Sequence, residues 1–169
     1  MSEIPQMLWN EAVGPSDYTG DGAEKYRAAV LDQYKLCVEM ADRVSARRNL
    51  SNTFFLTMNT AVVAAAVAAA TRLTTLSIWL LAAGLLVLLT QCAAWFTLMR
   101  SYRLLNSAKY AVIGAFEQRL PAYAYSRAEW VALGEGRDWR KYLPLTHIEQ
   151  WVPGIFALAY MLGFLAAAL

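Results

Sequence analysis

The chain has 169 residues, of which 58% are hydrophobic and 17% are charged, and its formal net charge is +2. An ordinary globular domain carries about 25% charged residues. Because the charges gather in two blocks and leave long apolar runs between them, the composition excludes a typical soluble domain and predicts a membrane protein. The small net charge does not by itself identify a partner.

The first segment, residues 1–50, is predicted to be a cytoplasmic arm followed by an amphipathic helix. Up to Gly20 the sequence is rich in proline and glycine, which predicts a loop or a loosely attached arm. It lacks the basic start and apolar core of a secretory signal, so we expect the first spanning helix to direct insertion. Asp21 followed by Glu24 has the form of a capping box and predicts the start of a helix.

Apolar residues repeat along this helix every three or four positions, nearly the spacing of a coiled coil. We predict that this stripe contacts neighbouring subunits through Val30, Tyr34, Cys37, Ala41 and Val44. Neither proline nor glycine occurs from residue 23 to residue 71, so a single helix of about 49 residues, more than roughly 70 Å long, should continue into the membrane.

The second segment, residues 51–99, is predicted to be a transmembrane hairpin. Its two apolar stretches run from Asn52 to Thr71 and from Leu73 to Leu98, with Arg72 in the turn between them. Each has about 20 residues or more, and at about 1.5 Å per residue each can cross a hydrocarbon core roughly 30 Å thick.

Polar residues inside these spans are few, and none is charged, which argues against active transport. Those that we consider candidate intramembrane sites are Asn52, Asn59 and Gln91. Asn59 and Gln91 could line a neutral pore or could form hydrogen bonds across helices, and we favour the second interpretation.

The third segment, residues 100–150, is predicted to be a cytoplasmic helical region. The second spanning helix should continue beyond Arg100 and end by Pro121, so that it pairs with the first extension as an antiparallel hairpin. Ser126 with Glu129 has capping-box spacing and predicts a short helix. A connector rich in aromatic and basic residues, 138–144, suits the headgroup level.

The last segment, residues 151–169, is predicted to be a third transmembrane helix that starts near His147 and bends near Pro153. It is the shortest of the three apolar runs. The alternative is a tail that dips into the bilayer, or packs on the hairpin, without crossing.

Basic residues are distributed unevenly: six precede residue 51, one lies in the turn, and eight lie between residues 100 and 150. By the positive-inside rule, we expect the amino terminus and residues 100–150 to be cytoplasmic, and the carboxyl terminus to be periplasmic if residues 151–169 also cross the membrane. The cluster expected at the inner membrane surface is Arg47, Arg48, Arg100 and Arg103. Surface anchoring is the favoured interpretation of this cluster, and recognition of lipid headgroups is the alternative.

We predict no catalytic, cofactor-binding or metal-binding residue, and therefore no enzyme. His147 is the only histidine, and Cys37 and Cys92 lie in different kinds of segment, so the sequence contains neither a metal-ligand spacing nor a nucleophile beside a base. Alanine is frequent in all three apolar runs, and glycine occurs in the second and third, which favours close helix association and hence a homo-oligomer.

Several motifs of the sequence resemble RipA-family octameric membrane proteins of the bacterial inner membrane. The motifs are Tyr34 to Arg48, Asn52 to Leu56, Asn59-Thr60, Leu105-Asn106 with Ala108-Lys109, Glu129-Trp130, and Pro144 to Glu149. The resemblance covers the chain from about Lys25 onward. It implies an inner-membrane protein that assembles as a ring of eight, and it implies no catalytic residue.

Two functions are consistent with these predictions. The favoured one is an all-α, non-enzymatic membrane octamer that acts as a scaffold or an envelope-homeostasis factor. The alternative is a pore-forming channel, similar to the membrane effectors of bacterial defence systems. We expect the partners to be further copies of the chain and membrane lipids, and we expect no nucleic acid.

Overall fold

The computed structural model describes residues 4–70, 77–136 and 145–168, and all their regular elements are helices. The helices are α1 (Ile4–Leu8), α2 (Gly22–Ala70), α3 (Ile78–Glu117), α4 (Trp130–Ala132) and α5 (Leu145–Ala168). Three of them, α2, α3 and α5, are long and apolar enough to cross a membrane. The predicted all-α fold with three spanning helices is therefore confirmed.

Parts of the sequence-based prediction lie outside the described residues. These are the turn around Arg72, the connector 138–144 and the side chain of His147.

Helix α2 is uninterrupted over 49 residues, a length of about 74 Å. At its start the side chain of Asp21 accepts a hydrogen bond from the backbone N–H of Glu24 over 3.2 Å. This bond satisfies one of the N–H groups that have no partner within the helix. The predicted cap and the predicted continuous helix are both present.

The chain divides into two compact units, each built from two separate stretches of sequence. We call Met1–Ser45 with Leu104–Leu143 the extension unit, and Ala46–Arg103 with Pro144–Leu169 the spanning unit. Helices α2 and α3 contribute to both units. Buried apolar residues of the extension unit include Val30, Ala41, Val44, Ile113, Ala115 and Phe116, and those of the spanning unit include Cys92, Trp95 and Met99.

The amino-terminal arm was predicted to be a loop or a loosely attached arm; residues 9–14 form neither helix nor strand, but the loose attachment is wrong. The ring of Trp9 packs edge-on against Phe116, with 5.4 Å between centroids, and the guanidinium of Arg119 lies 3.7 Å from the centre of the Trp9 ring. Aromatic and cation–π contacts of this kind stabilise by about 0.5–1.5 kcal/mol each. The arm therefore packs on the end of α3.

The segment after Pro121 also differs from its prediction. Residues Ala124–Glu129 form a turn of π-helix that leads directly into α4, and Ser126 does not cap a helix. Its hydroxyl instead donates a hydrogen bond to the carboxylate of Glu117. This charge-assisted hydrogen bond holds the segment against the end of α3.

Candidate functional site

Three levels of side-chain contacts join α2, α3 and α5 within the spanning unit. At the first level, Arg48 Nε of α2 lies 3.5 Å from Glu149 Oε2 of α5, and both side chains are mostly buried, with 15% and 19% exposed. Arg48 Nε makes this ion pair without a well-directed hydrogen bond. Beside it, Arg103 Nη1 of α3 donates a hydrogen bond to Gln150 Oε1 over 2.9 Å. The start of α5 is thus bound to both other helices.

The second level centres on Trp95 of α3, which is fully buried. Its indole N–H donates to Asn52 Oδ1 of α2 over 3.0 Å. Its ring stacks on Phe55 of α2 and also contacts Phe156 of α5, with centroid distances of 5.7 and 5.9 Å. One tryptophan therefore contacts both neighbouring helices and satisfies its only polar group.

The third level centres on Asn59 of α2, which is also fully buried. Its Oδ1 accepts a hydrogen bond from the Tyr160 hydroxyl of α5 over 2.7 Å, and the Cys92 sulfur of α3 lies 4.0 Å from the same oxygen. Its amide nitrogen donates to the backbone oxygen of Phe55 over 2.8 Å. Because burying an amide without partners costs about 2–7 kcal/mol in an apolar medium, these contacts make its position favourable.

The order of these contacts gives the directions of the helices within the spanning unit. Asn59 and Tyr160 are 101 positions apart in sequence, and so are Arg48 and Glu149. A constant separation means that α5 runs parallel to α2 over about three helical turns. Contacts of α2 with α3 follow the reverse order, since Asn52 meets Trp95 whereas Asn59 meets Cys92. Helix α3 is therefore antiparallel to both.

A second polar centre lies in the extension unit, around the fully buried carboxylate of Glu117 at the end of α3. Oε1 accepts hydrogen bonds from the backbone N–H of Tyr125 over 2.8 Å and from the Tyr34 hydroxyl over 3.2 Å. Oε2 accepts from the backbone N–H of Ser126 over 2.9 Å and from the Ser126 hydroxyl. Three of these bonds attach the segment after Pro121 to α3, and the bond from Tyr34 joins α2 to α3.

The electrostatics of this centre follow from burial and from these bonds. Burial alone would raise the pKa of the Glu117 carboxyl, but the hydrogen bonds from Ser126, Tyr125 and Tyr34 outweigh it, and the pKa is lowered below its usual value. Burial, together with the adjacent Glu117 charge, raises the pKa of Tyr34 to about 12. At neutral pH the arrangement is a carboxylate with a neutral phenol donor.

Comparison with known proteins identifies the family of the chain. The sequence matches the octameric membrane protein family (8xMP) over residues 31–169. The chain belongs to this family. No match was found among curated proteins or among solved structures. Membership in 8xMP implies self-association in a membrane, and it confirms the octameric membrane family that the sequence motifs indicated.

The predicted intramembrane polar residues of this 8xMP chain have different surroundings. Asn52 and Asn59 form hydrogen bonds across helices, with Trp95 and Tyr160 respectively. Gln91 is not joined to that network, and its buried side-chain nitrogen has no hydrogen-bond partner among the described residues. The two asparagines therefore serve contacts inside one chain.

The predicted basic cluster separates into two pairs. Arg48 and Arg103 bind Glu149 and Gln150 of α5, so their charged groups serve contacts inside the chain. Arg47 and Arg100 are exposed, as a group that meets lipid headgroups must be.

The predicted subunit-contact stripe lies largely inside the 8xMP chain itself. Val30, Ala41 and Val44 are buried by the chain, with at most 9% of any of them exposed, and Tyr34 and Cys37 are half-buried. Tyr34 also holds Glu117. Their role in contacts between subunits stays a prediction, and their burial argues that other surfaces are more available to a second copy.

The Glu117 centre was not predicted from the sequence. A signal was available, because Glu117 is the last residue of α3, where the helix dipole disfavours negative charge. A carboxylate at that position requires nearby donors.

Within residues 4–70, 77–136 and 145–168, no cluster of three or more His, Cys, Asp or Glu side chains could hold a metal ion.

Proposed function

We propose that this 8xMP chain is a non-enzymatic subunit of a homo-octamer in the bacterial inner membrane, and that the assembly acts as a scaffold or an envelope-homeostasis factor. The main observation in support of the octamer is that three glycines in the spanning helices face open space. A Cβ atom added to Gly84, Gly154 or Gly163 would meet no atom within 4 Å. Glycine in a helix interior is less favourable than alanine by about 1 kcal/mol in water. Packing inside the chain does not require these glycines, so close approach of another helix explains them.

The exposure of the spanning helices supports the same proposal. In the most apolar window of α2, α3 and α5, only 6%, 11% and 6% of residues are buried within the chain. Three helices alone thus leave most of their surface for lipid or for further copies. Since lipid solvates apolar side chains well, specific assembly depends on small residues that let backbones approach closely.

Small exposed residues form a continuous strip along α3 and another along α2. At spacings of four, three and four, the strips are Thr90, Ala94, Thr97 and Ser101 on α3, and Thr53, Thr57, Thr60 and Ala64 on α2. The hydroxyls of Thr60, Thr90 and Thr97 donate to backbone carbonyls of their own helices over 2.8–2.9 Å. Because these three hydroxyls are satisfied, they can pack against another helix without being buried unpaired.

The assembly is tested by adding bulk at the open glycines. Gly84→Leu and Gly163→Leu should convert octamers into smaller particles, measured by native mass spectrometry of the purified membrane protein. Val87→Leu is the matched control, because it adds bulk to a side chain that is already large and 65% exposed. Octamers that persist in both glycine variants would contradict contacts at these positions, and a monomeric wild-type protein would contradict the assembly itself.

The envelope role requires a test in cells. A deletion strain should lose resistance to detergents that stress the envelope, and the wild-type chain should restore it. If the role depends on assembly, variants that fail to form octamers should not restore resistance, although they reach the membrane at normal levels. Full restoration by a non-assembling variant would contradict a scaffold.

The orientation that we propose places residues 1–50 and 100–150 in the cytoplasm and the carboxyl terminus in the periplasm. Its support is the charge distribution and the parallel direction of α2 and α5. In a chain without native cysteines, Ser77→Cys should react with an impermeant maleimide in intact cells, whereas Glu24→Cys should react only after permeabilisation. The reverse pattern would contradict this orientation.

Lipid headgroups are proposed partners of the exposed arginines, Arg47 and Arg100. A basic residue near an anionic surface contributes about 1 kcal/mol. The double variant Arg47→Gln/Arg100→Gln should retain less anionic lipid in native mass spectra than the wild type. Arg43→Gln is the control, because Arg43 is paired with Glu39 at 2.7 Å. Equal lipid retention in all three proteins would exclude this role.

A pore is the second candidate, and the exposed threonines of the α2 strip favour it, since hydroxyls can line a water-filled path. Asn52 and Asn59 give it no support, because Trp95 and Tyr160 already bind them. Ion flux across liposomes that contain the octamer tests this function. Sustained flux that Thr57→Leu reduces would support a pore, and the absence of flux at high protein density would exclude it.

A further inference from the structure

The extension unit contains a cavity of about 310 Å³ that no function described above uses. It lies between α1, the last turns of α3 and the turn Ala124–Glu129. Its volume is at the lower end of the range of roughly 300–1,000 Å³ found for small-molecule sites. Small side chains of α3, Ala111 and Ala115, leave room for it beside Gly114.

The wall opposite α3 is held in place by hydrogen bonds. Glu117 binds the backbone N–H groups of Tyr125 and Ser126 and also the Ser126 hydroxyl. Gly114 permits this approach, because a Cβ atom there would lie 3.2 Å from the Cβ of Ser126. The cavity is therefore formed before any ligand arrives, which reduces the entropy lost on binding.

Among the described residues that line the cavity, Arg127 supplies the one cationic group. The guanidinium of Arg127 lies 4.2 Å from the centre of the Tyr123 ring, and Tyr123 also lines the cavity. None of the ion pairs among the described residues involves Arg127. The nearby carboxylate of Glu117 already accepts four hydrogen bonds and is fully buried. An entering molecule would therefore meet a positive charge, with Gln118 as a further donor.

A third wall of the cavity is apolar and belongs to α1. Ile4 and Pro5 line the cavity, and the arm that carries them is attached through Trp9, Phe116 and Arg119. The cavity thus combines an apolar wall and a floor of small residues with one cation.

We propose that this cavity binds a compact organic anion, with a carboxylate against Arg127 and an apolar body, the size of one ring or a short chain, over Ala111 and Gly114. A guanidinium recognises a carboxylate by paired, charge-assisted hydrogen bonds. The volume of about 310 Å³ favours an apolar body of this size, and we expect a fatty acid of twelve carbons or more to enter the bilayer instead.

The test is calorimetric titration of the full-length octamer in nanodiscs with 3-phenylpropionate, after subtraction of empty nanodiscs. We expect saturable binding, weakened about tenfold or more in Arg127→Gln, which removes a charge-assisted contact at an exposed position. Ala111→Leu, which fills the floor, should abolish binding. Arg27→Gln, an exposed arginine of the same unit that does not line the cavity, should bind as the wild type does.

Other probes separate the cavity from binding to the bilayer. The neutral analogue 3-phenylpropanol should bind at least tenfold more weakly than the acid. Dodecanoate should give the same heat of binding with the wild type and with Ala111→Leu, because it should bind to the bilayer and not to the cavity. The proposal is overturned if the wild type gives no saturable binding, if the alcohol binds as well as the acid, or if Arg127→Gln leaves the affinity unchanged. Binding of dodecanoate that Ala111→Leu abolishes would overturn the limit on ligand size.

Discussion

Asn59 and Glu117 are the two polar side chains that are fully buried among the described residues, and they represent two ways of burying polarity. Asn59 lies in the spanning unit, is neutral, and bonds to one side chain of another helix and to its own helix backbone. Glu117 lies in the extension unit, is ionised, and accepts four hydrogen bonds, three of them from a segment that is not α-helical.

The two side chains differ because each one holds a different kind of structure in place. In the spanning unit, helices satisfy their own backbones, so a single neutral hydrogen bond is enough to set the register of one helix against another. In the extension unit, the turn after Pro121 has backbone N–H groups without helical partners, and a carboxylate can accept two of them together with two hydroxyls. Asn59 thus aligns helices, whereas the Glu117 carboxylate attaches an irregular segment.

The largest effect expected in the spanning unit comes from Trp95→Ala. It removes a fully buried ring that contacts α2 and α5, and it leaves Asn52 without its donor. We expect a loss of about 3–5 kcal/mol, measured by unfolding in mixed micelles with rising denaturing detergent. Trp79→Ala is the control, because Trp79 is 80% exposed. Equal losses in the two variants would show that packing around Trp95 is not what joins the three helices.

The corresponding change in the extension unit is Glu117→Leu. It leaves the N–H groups of Tyr125 and Ser126 without their acceptor, for an expected loss of about 2–4 kcal/mol. Amide hydrogen exchange should accelerate at residues 121–133 more than within α2. The exposed Glu129 provides the control variant Glu129→Leu. Unchanged exchange at Tyr125 and Ser126 would contradict a role for the carboxylate in holding this segment.

Acidification should release the same segment in the wild type. The pKa of Glu117 in the folded chain is lowered from its usual value of 4.5. A lowered pKa means that the stabilisation is present above the usual value and is lost as the pH falls through the lower, folded-state value. Hydrogen exchange at residues 121–133, corrected for its intrinsic pH dependence, should therefore increase below pH 4.5 in the wild type. Glu117→Gln should lack this acid step, and a step of equal size in that variant would assign it to another group.

The sequence predicted the helices well because hydropathy and the absence of helix breakers act locally. The continuous α2, its cap at Asp21 and three helices able to span could all be read from runs of residues. The Glu117 centre was only partly predictable: a carboxylate at the end of α3 indicates that donors lie near it, but Tyr34 is 83 positions away and only the fold brings it near. The partners of Arg48 and Arg103 were missed for the same reason: a basic residue near a membrane boundary has the same sequence pattern whether it meets lipid or Glu149.

A smaller effect is expected from the hydrogen bond that sets the register of α5. Tyr160→Phe keeps the ring against Phe156 and removes only the hydroxyl, which donates a hydrogen bond to Asn59 Oδ1. Hydrogen bonds between spanning helices contribute about 0.6 kcal/mol on average and at most about 1.7. A double-mutant cycle with Asn59→Ala, measured by the same detergent unfolding, should give a coupling within that range. A coupling of zero would mean that the two groups do not interact in the assembled protein.

The smallest expected effect is a difference in coupling energy between two ion pairs that differ in burial. The Arg48–Glu149 side chains are 15% and 19% exposed, whereas those of Lys35 and Asp32 are 64% and 74% exposed. Solvent screens an exposed pair, for which coupling is about 0–1 kcal/mol, and a mostly buried pair is screened less. Double-mutant cycles should therefore give a larger coupling for Arg48 with Glu149, and added salt should reduce it proportionally less. If salt abolishes both couplings equally, the start of α5 is held by Gln150 and by packing rather than by this charge.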